Sequence, residues 1–226
     1  MKTRPLSRRP VLSSLVLSLA LASAAACGGR SAETAPSPQK RPEVPARPLN
    51  TLTLAGQKVV VLPLTILLIE DSVPGGALLA DRTRGLPWAD SLIGAAFTTH
   101  SPEVDWVLPP ALRKIAKRTQ GVTVDPDHMG QAIMRVPKID VVPDPLRSSL
   151  RTMAAIAGAV EAVIPAAASL LHGPGDTVHA ELAMVLAYVR TGQVLWRTLA
   201  TGSGRTPTLA FNAALQTVLP LPGVMP

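Results

Sequence analysis

The chain has 226 residues, 47% of them apolar, 3% aromatic and one a cysteine, and carries a formal charge of +7. One cysteine excludes an intramolecular disulfide framework, so any fold must be held by its core. Four of the 22 basic residues fall in the first 26 positions, leaving 18 against 15 acidic residues, or +3; with three Trp, two Phe and one Tyr for stacking, this excludes the clustered basic, aromatic face of a nucleic-acid binder.

Lys2, Arg4, Arg8 and Arg9 make a positive start, positions 11–21 a short apolar run and positions 22–26 a small-residue stretch. This is the three-part pattern of an export signal, and its apolar run is shorter than the roughly 20 residues a membrane span needs. Ala24-Ala25-Ala26-Cys27 resembles the lipobox of bacterial lipoproteins, with Ala24 where leucine is usual. The resemblance implies that the leader 1–26 is removed and Cys27 acylated; a plain cleaved secretory signal is the alternative. Two or three acyl chains hold where one does not, so Cys27 is expected to tether the protein to a membrane. Ser7-Arg8-Arg9-Pro10-Val11-Leu12 is similar to a twin-arginine motif, which leaves two export routes open.

Residues 27–50 are expected to hold the anchor and a disordered linker. Prolines at 36, 38, 42, 45 and 48 favour an extended chain of about 3.1 Å per residue, long enough to reach about 70 Å. Residues 51–226 suit one globular domain with a real core.

KVVVLPLTILLIED, 58–71, is apolar on both alternating faces and predicts a central strand, with Pro63 an obstacle within it. Trp88, Leu92 and Ala96, widened by Ile93 and Phe97, predict a helix over 87–98. Val104 to Val107 is extended, and Pro109 or Pro110 starts a helix that buries Leu112, Ile115 and Ala116 and turns Arg113, Lys114, Lys117 and Arg118 to water. Asp125-Pro126-Asp127 and Asp144-Pro145 read as aspartate caps with proline at the first helical position. The first helix would run to Met134, and the second would bury Leu146, Leu150, Met153, Ala154 and Ala157 before Gly158 closes it.

The last third reads as antiparallel. Val160 to Leu171 is a strand with Pro165 at an edge or bulge, HGPGD is a turn, and Thr177 to Val189 alternates Val178, Ala180, Leu182, Met184, Leu186 and Tyr188 against His179 and Glu181. Gln193 to Ala200 forms the next strand, Thr201-Gly202-Ser203-Gly204 a turn, and Thr206-Pro207 starts a helix burying Phe211, Leu215, Val218 and Leu219. Positions 152–171 are apolar enough to suggest a membrane span, but Gly158, Glu161 and Pro165 argue against one. The expected class is α/β (α+β): a mixed, largely antiparallel sheet with helices packed on it.

KVVVLPL, EVDWV and the hairpin AMVLAYVRTGQVLWRT followed by a helix together resemble the α/β domain of CsgG-type secretion lipoproteins, the amino-terminal domain of TolB and the lipoprotein activator of penicillin-binding proteins. Arg190 stands where an aspartate is common before the Thr-Gly turn. The resemblance implies a protein-binding or self-assembling envelope module rather than an enzyme, and there is no spare strand pair for a CsgG-like pore.

His100, His128, His172 and His179 lack paired ligand spacing, no Gly-x-Ser-x-Gly elbow or phosphate loop occurs, and no cofactor is called for. The remaining chemical candidate is Glu70-Asp71, a carboxylate pair at a strand end where α/β folds often bind ligands. It is the basis of an alternative reading as a small periplasmic hydrolase or ligand-binding protein. Gly28 after the cysteine resembles the sorting pattern for the outer membrane.

Overall fold

The computed structural model describes residues 46–220; Cys27, the leader and the linker up to residue 45 lie outside the described residues. In chain order the elements are β1 (Lys58–Val61), β2 (Leu67–Ile69), α1 (Ala77–Ala80), α2 (Arg82–His100), β3 (Asp105–Val107), α3 (Pro109–Arg118), α4 (Leu146–Ala157), β4 (Glu161–Gly173), β5 (Thr177–Tyr188), β6 (Val194–Gly204) and α5 (Pro207–Val218). Six strands form one sheet in the order β3-β1-β4-β5-β6, with β2 paired to β4 beyond the end of β1. β1 is parallel to β3 and β4, and β2 to β4. β4 to β5 and β5 to β6 are antiparallel over 12 and 10 residue pairs, so the sheet is mixed and mainly antiparallel, as expected.

The strand expected over 58–71 is two strands. Pro63 has no amide to give to a ladder, and the chain leaves the sheet after the Leu62 amide bonds the Val163 carbonyl at 3.0 Å, returning where Ile66 accepts from Ala168 at 2.9 Å. Opposite this gap the β4 register slips between Pro165 and Ala167. The slip is the bulge expected at Pro165, in an interior strand.

Helices cover both faces. On one, Val59, Val61, Val163, Leu182 and Met184 of the sheet pack with Ile93 and Phe97 of α2 and Phe211 and Leu215 of α5. Trp88 meets Phe211 with ring centroids 5.2 Å apart, and Phe97 meets Trp106 of β3 edge-on at 4.5 Å. Each fully buried Phe contributes roughly 1.5–3 kcal/mol of transfer free energy. On the other face Val60, Leu62, Ile164 and Val185 pack with Leu112 of α3 and Leu150 and Met153 of α4. That layer stops short: Ser169, Leu171, His179, Glu181, Leu199, Thr201 and Ser203 alternate with residues of the first core yet belong to neither core.

Several helix boundaries differ from expectation, each for a local reason. α2 starts five residues before position 87, because the Asp81 carboxylate caps the Thr83 amide at 2.9 Å, and its buried stripe is Ala89, Ile93 and Phe97 while Trp88, Leu92 and Ala96 are only half-buried. The helix expected to run to Met134 is two 3-10 turns, Pro126–His128 and Gln131–Arg135, separated by Gly130 at φ 78°; Asp125 does cap, taking the Asp127 amide at 3.1 Å. α4 closes at Gly158 with φ 74°, as expected, so the apolar stretch 152–171 is a helix end and a strand. Among the described residues no helix is long and apolar enough to cross a membrane.

Thr201 to Gly204 are not a turn but the end of β6. Their small side chains let α5 sit directly on the strand: a Cβ on Gly202 would collide with the Ala214 amide and stand 2.5 Å from the Ala210 carbonyl. Thr206 caps α5 by accepting from the Leu209 amide, and Phe211, Leu215, Val218 and Leu219 are buried, as expected. Residues before position 50 also join the domain, since the Arg47 amide donates to Thr198 Oγ1 at 2.9 Å and the Leu49 amide to the Val218 carbonyl at 2.8 Å. Gly202→Val is expected to lower stability in urea denaturation by about 2–3 kcal/mol, because backbone and not a flexible side chain fills the space; a loss under about 0.5 kcal/mol contradicts this packing.

Candidate functional site

The gap at Pro63 leaves backbone groups that the sheet cannot satisfy, and buried groups of that kind need partners. Two side chains reach in. Asp90, on the sheet side of α2, accepts from the Leu64 amide through Oδ1 at 2.8 Å. Gln131 Nε2 donates to the Pro63 carbonyl at 3.0 Å and to the Pro126 carbonyl at 2.9 Å, while its Oε1 is buried without a partner. They are two of the four buried polar residues in the described chain.

Asp90 is in turn held by α3. Arg113 Nη2 lies 2.6 Å from Asp90 Oδ2 and 2.7 Å from Asp127 Oδ1, and Arg113 Nε donates to Asp127 Oδ2 at 2.8 Å. One guanidinium therefore joins two carboxylates, with the fork of Arg113 bidentate on Asp127. Burial pushes the Asp90 carboxyl up, opposed by the Leu64 amide and Arg113, and the bond to Asp127 raises Arg113 further. Two expectations are corrected here. Arg113 is not part of the wet face that Lys114, Lys117 and Arg118 do form, and Asp127 is an ion-pair partner rather than a cap.

Arg113 and Asp90 stand at the base of a surface groove of about 320 Å³, walled by Pro87, Leu108 and Pro110 with Gly94 and Ala95 of α2 along it. At Thr98 it meets a second, more open hollow of about 430 Å³ beside Glu103, Asp105 and Trp106 at the β3 edge. Thr98 lines both, so the two hollows adjoin as a shallow channel on the surface of α2. Its apolar walls can seat a segment of another chain; Asp90 and Arg113 are engaged with each other, Asp105 of the open hollow pairs with Lys58 at 3.6 Å, and Glu103 has no ion-pair partner among the described residues.

The residues singled out in the sequence do not come together. Glu70 lies at the end of β2 on the surface, where Oε2 accepts from the His172 amide at 2.8 Å. That amide, with Ser72, lowers the Glu70 carboxyl. Neither Glu70 nor Asp71 lines either of the two hollows described above. His100 bonds the Leu219 carbonyl, His128 the Asp125 carboxylate and His179 the Ser203 hydroxyl. Among the described residues no three His, Cys, Asp or Glu side chains are placed to hold a metal. Cys27 lies outside the described residues.

Sequence reasoning missed Asp90, Gln131 and the role of Arg113. The available signal was Pro63 itself, which implies orphaned backbone groups, together with an acidic residue set among the apolar positions of α2.

No protein-family model matches the chain, and no curated protein does. Among solved structures it is similar to the LpoB C-terminal domain from Salmonella enterica, 16% identical with a TM-score of 0.38, over 67% of this chain and 84% of that one. The NMR structure of E. coli LpoB is 16% identical with a TM-score of 0.38, over 88% of this chain and 87% of that one. Lipoprotein GNA1162 from Neisseria meningitidis is 16% identical with a TM-score of 0.29, over 66% and 80%.

Asp90→Ala is expected to cost about 2–4 kcal/mol in chemical denaturation, since it orphans the Leu64 amide and half-empties the Arg113 fork. Lys117→Ala, on the exposed side of the same helix as Arg113, is expected to stay within about 0.5 kcal/mol. Equal effects contradict the assignment.

A second expectation concerns Glu161, whose Oε2 is buried without a partner and whose carboxyl burial pushes up. The folded state then holds this proton more tightly than the unfolded chain. Its contribution is full below the ordinary value of 4.5 and is lost as pH rises through the folded value. Glu161→Gln should raise the thermal midpoint at pH 7 relative to the parent and leave it little changed at pH 4. A lower midpoint at pH 7 contradicts this.

Proposed function

We propose that the chain is a cell-envelope lipoprotein whose globular domain binds another protein and performs no catalysis. In this reading Cys27 carries the lipid, the Pro-rich residues after it are a spacer, and the domain faces the periplasm from the outer membrane, the side that Gly28 favours. The charged leader and the small residues before Cys27 support the anchor. The observation that carries the binding role is the groove on α2: its walls are Pro87, Leu108 and Pro110, and the two charged groups within it, Asp90 and Arg113, are spoken for by the Leu64 amide, Asp127 and each other. A seat with apolar walls and satisfied polar groups suits side-chain burial from a partner better than proton transfer.

Two measurements test it. Fatty-acid labelling should be lost in Cys27→Ala, because the thiol is the acceptor, and labelling that persists contradicts the anchor. A photo-crosslinking residue at Ser91, on the channel, should capture one reproducible protein in the native envelope. Ala95→Trp, which fills the channel from an exposed position, should reduce that capture at least about tenfold without moving the thermal midpoint. A protein that yields no crosslink and copurifies with a small molecule favours instead the ligand-binding alternative at Glu70 and Asp71.

A further inference from the structure

We infer that the outer edge of β6 is a strand-addition site and that its occupant is β6 of a second copy of this chain. The inference goes beyond the channel on α2 and uses a different side of the domain. The Tyr188 amide bonds the Gln193 carbonyl, so even-numbered β5 residues point their backbone groups at β6. These residues pair with Trp196, Thr198, Ala200, Gly202 and Gly204. The amides and carbonyls of Arg197, Leu199, Thr201 and Ser203 therefore point away from the sheet.

Among the described residues the backbone of this edge is bonded only at its beginning, while Arg47 and Pro48 reach the side chains of Thr198 and Trp196. Val194 donates to the Asp140 carbonyl at 2.9 Å, and Gly192 accepts from the Val142 amide at 2.7 Å. From Trp196 to Gly204, among the described residues, no β6 backbone group bonds to anything but β5. Sheet edges are normally blunted by lysine, proline, a bulge or a covering segment. The stretch Leu199-Ala200-Thr201-Gly202-Ser203-Gly204 has no charge and no proline, and the β6 register slips only earlier, at Leu195. Arg197 does not guard the edge, because its guanidinium donates to the Met134 and Ile139 carbonyls.

The choice of occupant rests on charge and symmetry. The stretch Leu199 to Gly204 is uncharged and meets its own copy without like-charge repulsion, and an antiparallel two-fold about Ala200 sets Arg197, whose guanidinium is held by Met134 and Ile139, opposite Ser203 and Leu199 opposite Thr201. The four outward residues of each copy then exchange about eight backbone hydrogen bonds. Exposed Leu195 and Leu209 flank the strand. A strand pair of this length falls below the roughly 1,200 Å² of a stable standard interface, so pairing is weak in dilute solution and strengthens where copies share a surface.

The test is sedimentation equilibrium of the full chain in density-matched detergent, paired with energy transfer between differently labelled copies in vesicles. A reversible dimer is expected, with its Kd raised at least about tenfold by Thr201→Pro, which removes an outward amide, and by Thr201→Lys with Ser203→Lys, which charges the edge. Both positions are exposed, and the thermal midpoint should hold in at least the lysine variant, which decides the matter if the proline variant unfolds. A chain that stays monomeric at every concentration and in vesicles, or a dimer indifferent to the folded lysine variant, overturns the inference. Ala95→Trp should leave the dimer intact, so failure here and failure of the channel reading are distinguishable.

Discussion

The structure turns on a proline placed inside its most buried strand. Pro63 ends β1 and opens a gap between Leu62 and Ile66, and the bulge at Pro165 opens β4 in the same place. A gap in a solvent-facing strand could be filled by water, but Leu62 and Leu64 are fully buried, so leaving the Leu64 amide and the Pro63 carbonyl bare would cost about 1–3 kcal/mol each. Asp90 and Gln131 supply the missing partners. An acid brought this deep then needs its own counter-charge, which α3 provides through Arg113, and Arg113 in turn orders Asp127. One covalent restriction thus ties α2, α3 and the 125–131 segment to one another through polar side chains.

The antiparallel half is stabilised differently. β4, β5 and β6 satisfy each other through long ladders, so no side chain is needed to repair the backbone, and the exposed face can alternate Ser169, Glu181 and Thr201 in register across three strands. α5 reaches close backbone contact through Gly202 and Gly204. The parallel half is knit by polar side chains threading between helices; the antiparallel half is knit by its own backbone and by close approach. This division explains why the concave surface and the open edge lie on different parts of the molecule.

The same division governs what could be read from the sequence. The alternation of Val178 through Leu186, the Thr206-Pro207 start of α5 and the Gly158 stop of α4 are local signals with local causes, and they match the structure. The interrupted strand at 58–71 was visible only as a difficulty, because the gap is closed by side chains 26 and 68 positions from the groups they bond. Arg113 looked like its neighbours Lys114 and Lys117 because composition does not distinguish a cation facing water from one facing a buried acid. Thr201 to Gly204 looked like a turn for a related reason: glycine marks both a bend and a close approach, and only the position of α5 separates them. Of the channel along α2, the walls come from Pro87 of α2 and from Leu108 and Pro110 at the start of α3, and no spacing rule connects the two elements.

Asp90 gives the channel a physical link to the core. Its Oδ2 meets Arg113 at the base of the channel, while its Oδ1 holds the Leu64 amide at the sheet gap. The two oxygens belong to one rigid carboxylate on one helix, so a rotation that follows Arg113 also shifts the acceptor away from Leu64. Gln131 makes no bond to the Leu64 amide: its Nε2 donates to Pro63 and Pro126 and its Oε1 has no partner. Asp127, held in two places by the Arg113 fork, resists that rotation from the opposite side. The base of the channel is therefore stiff for the same reason that the broken strand is stable, and a partner seated there meets a surface already ordered by the fold, with little side-chain entropy left to lose on binding.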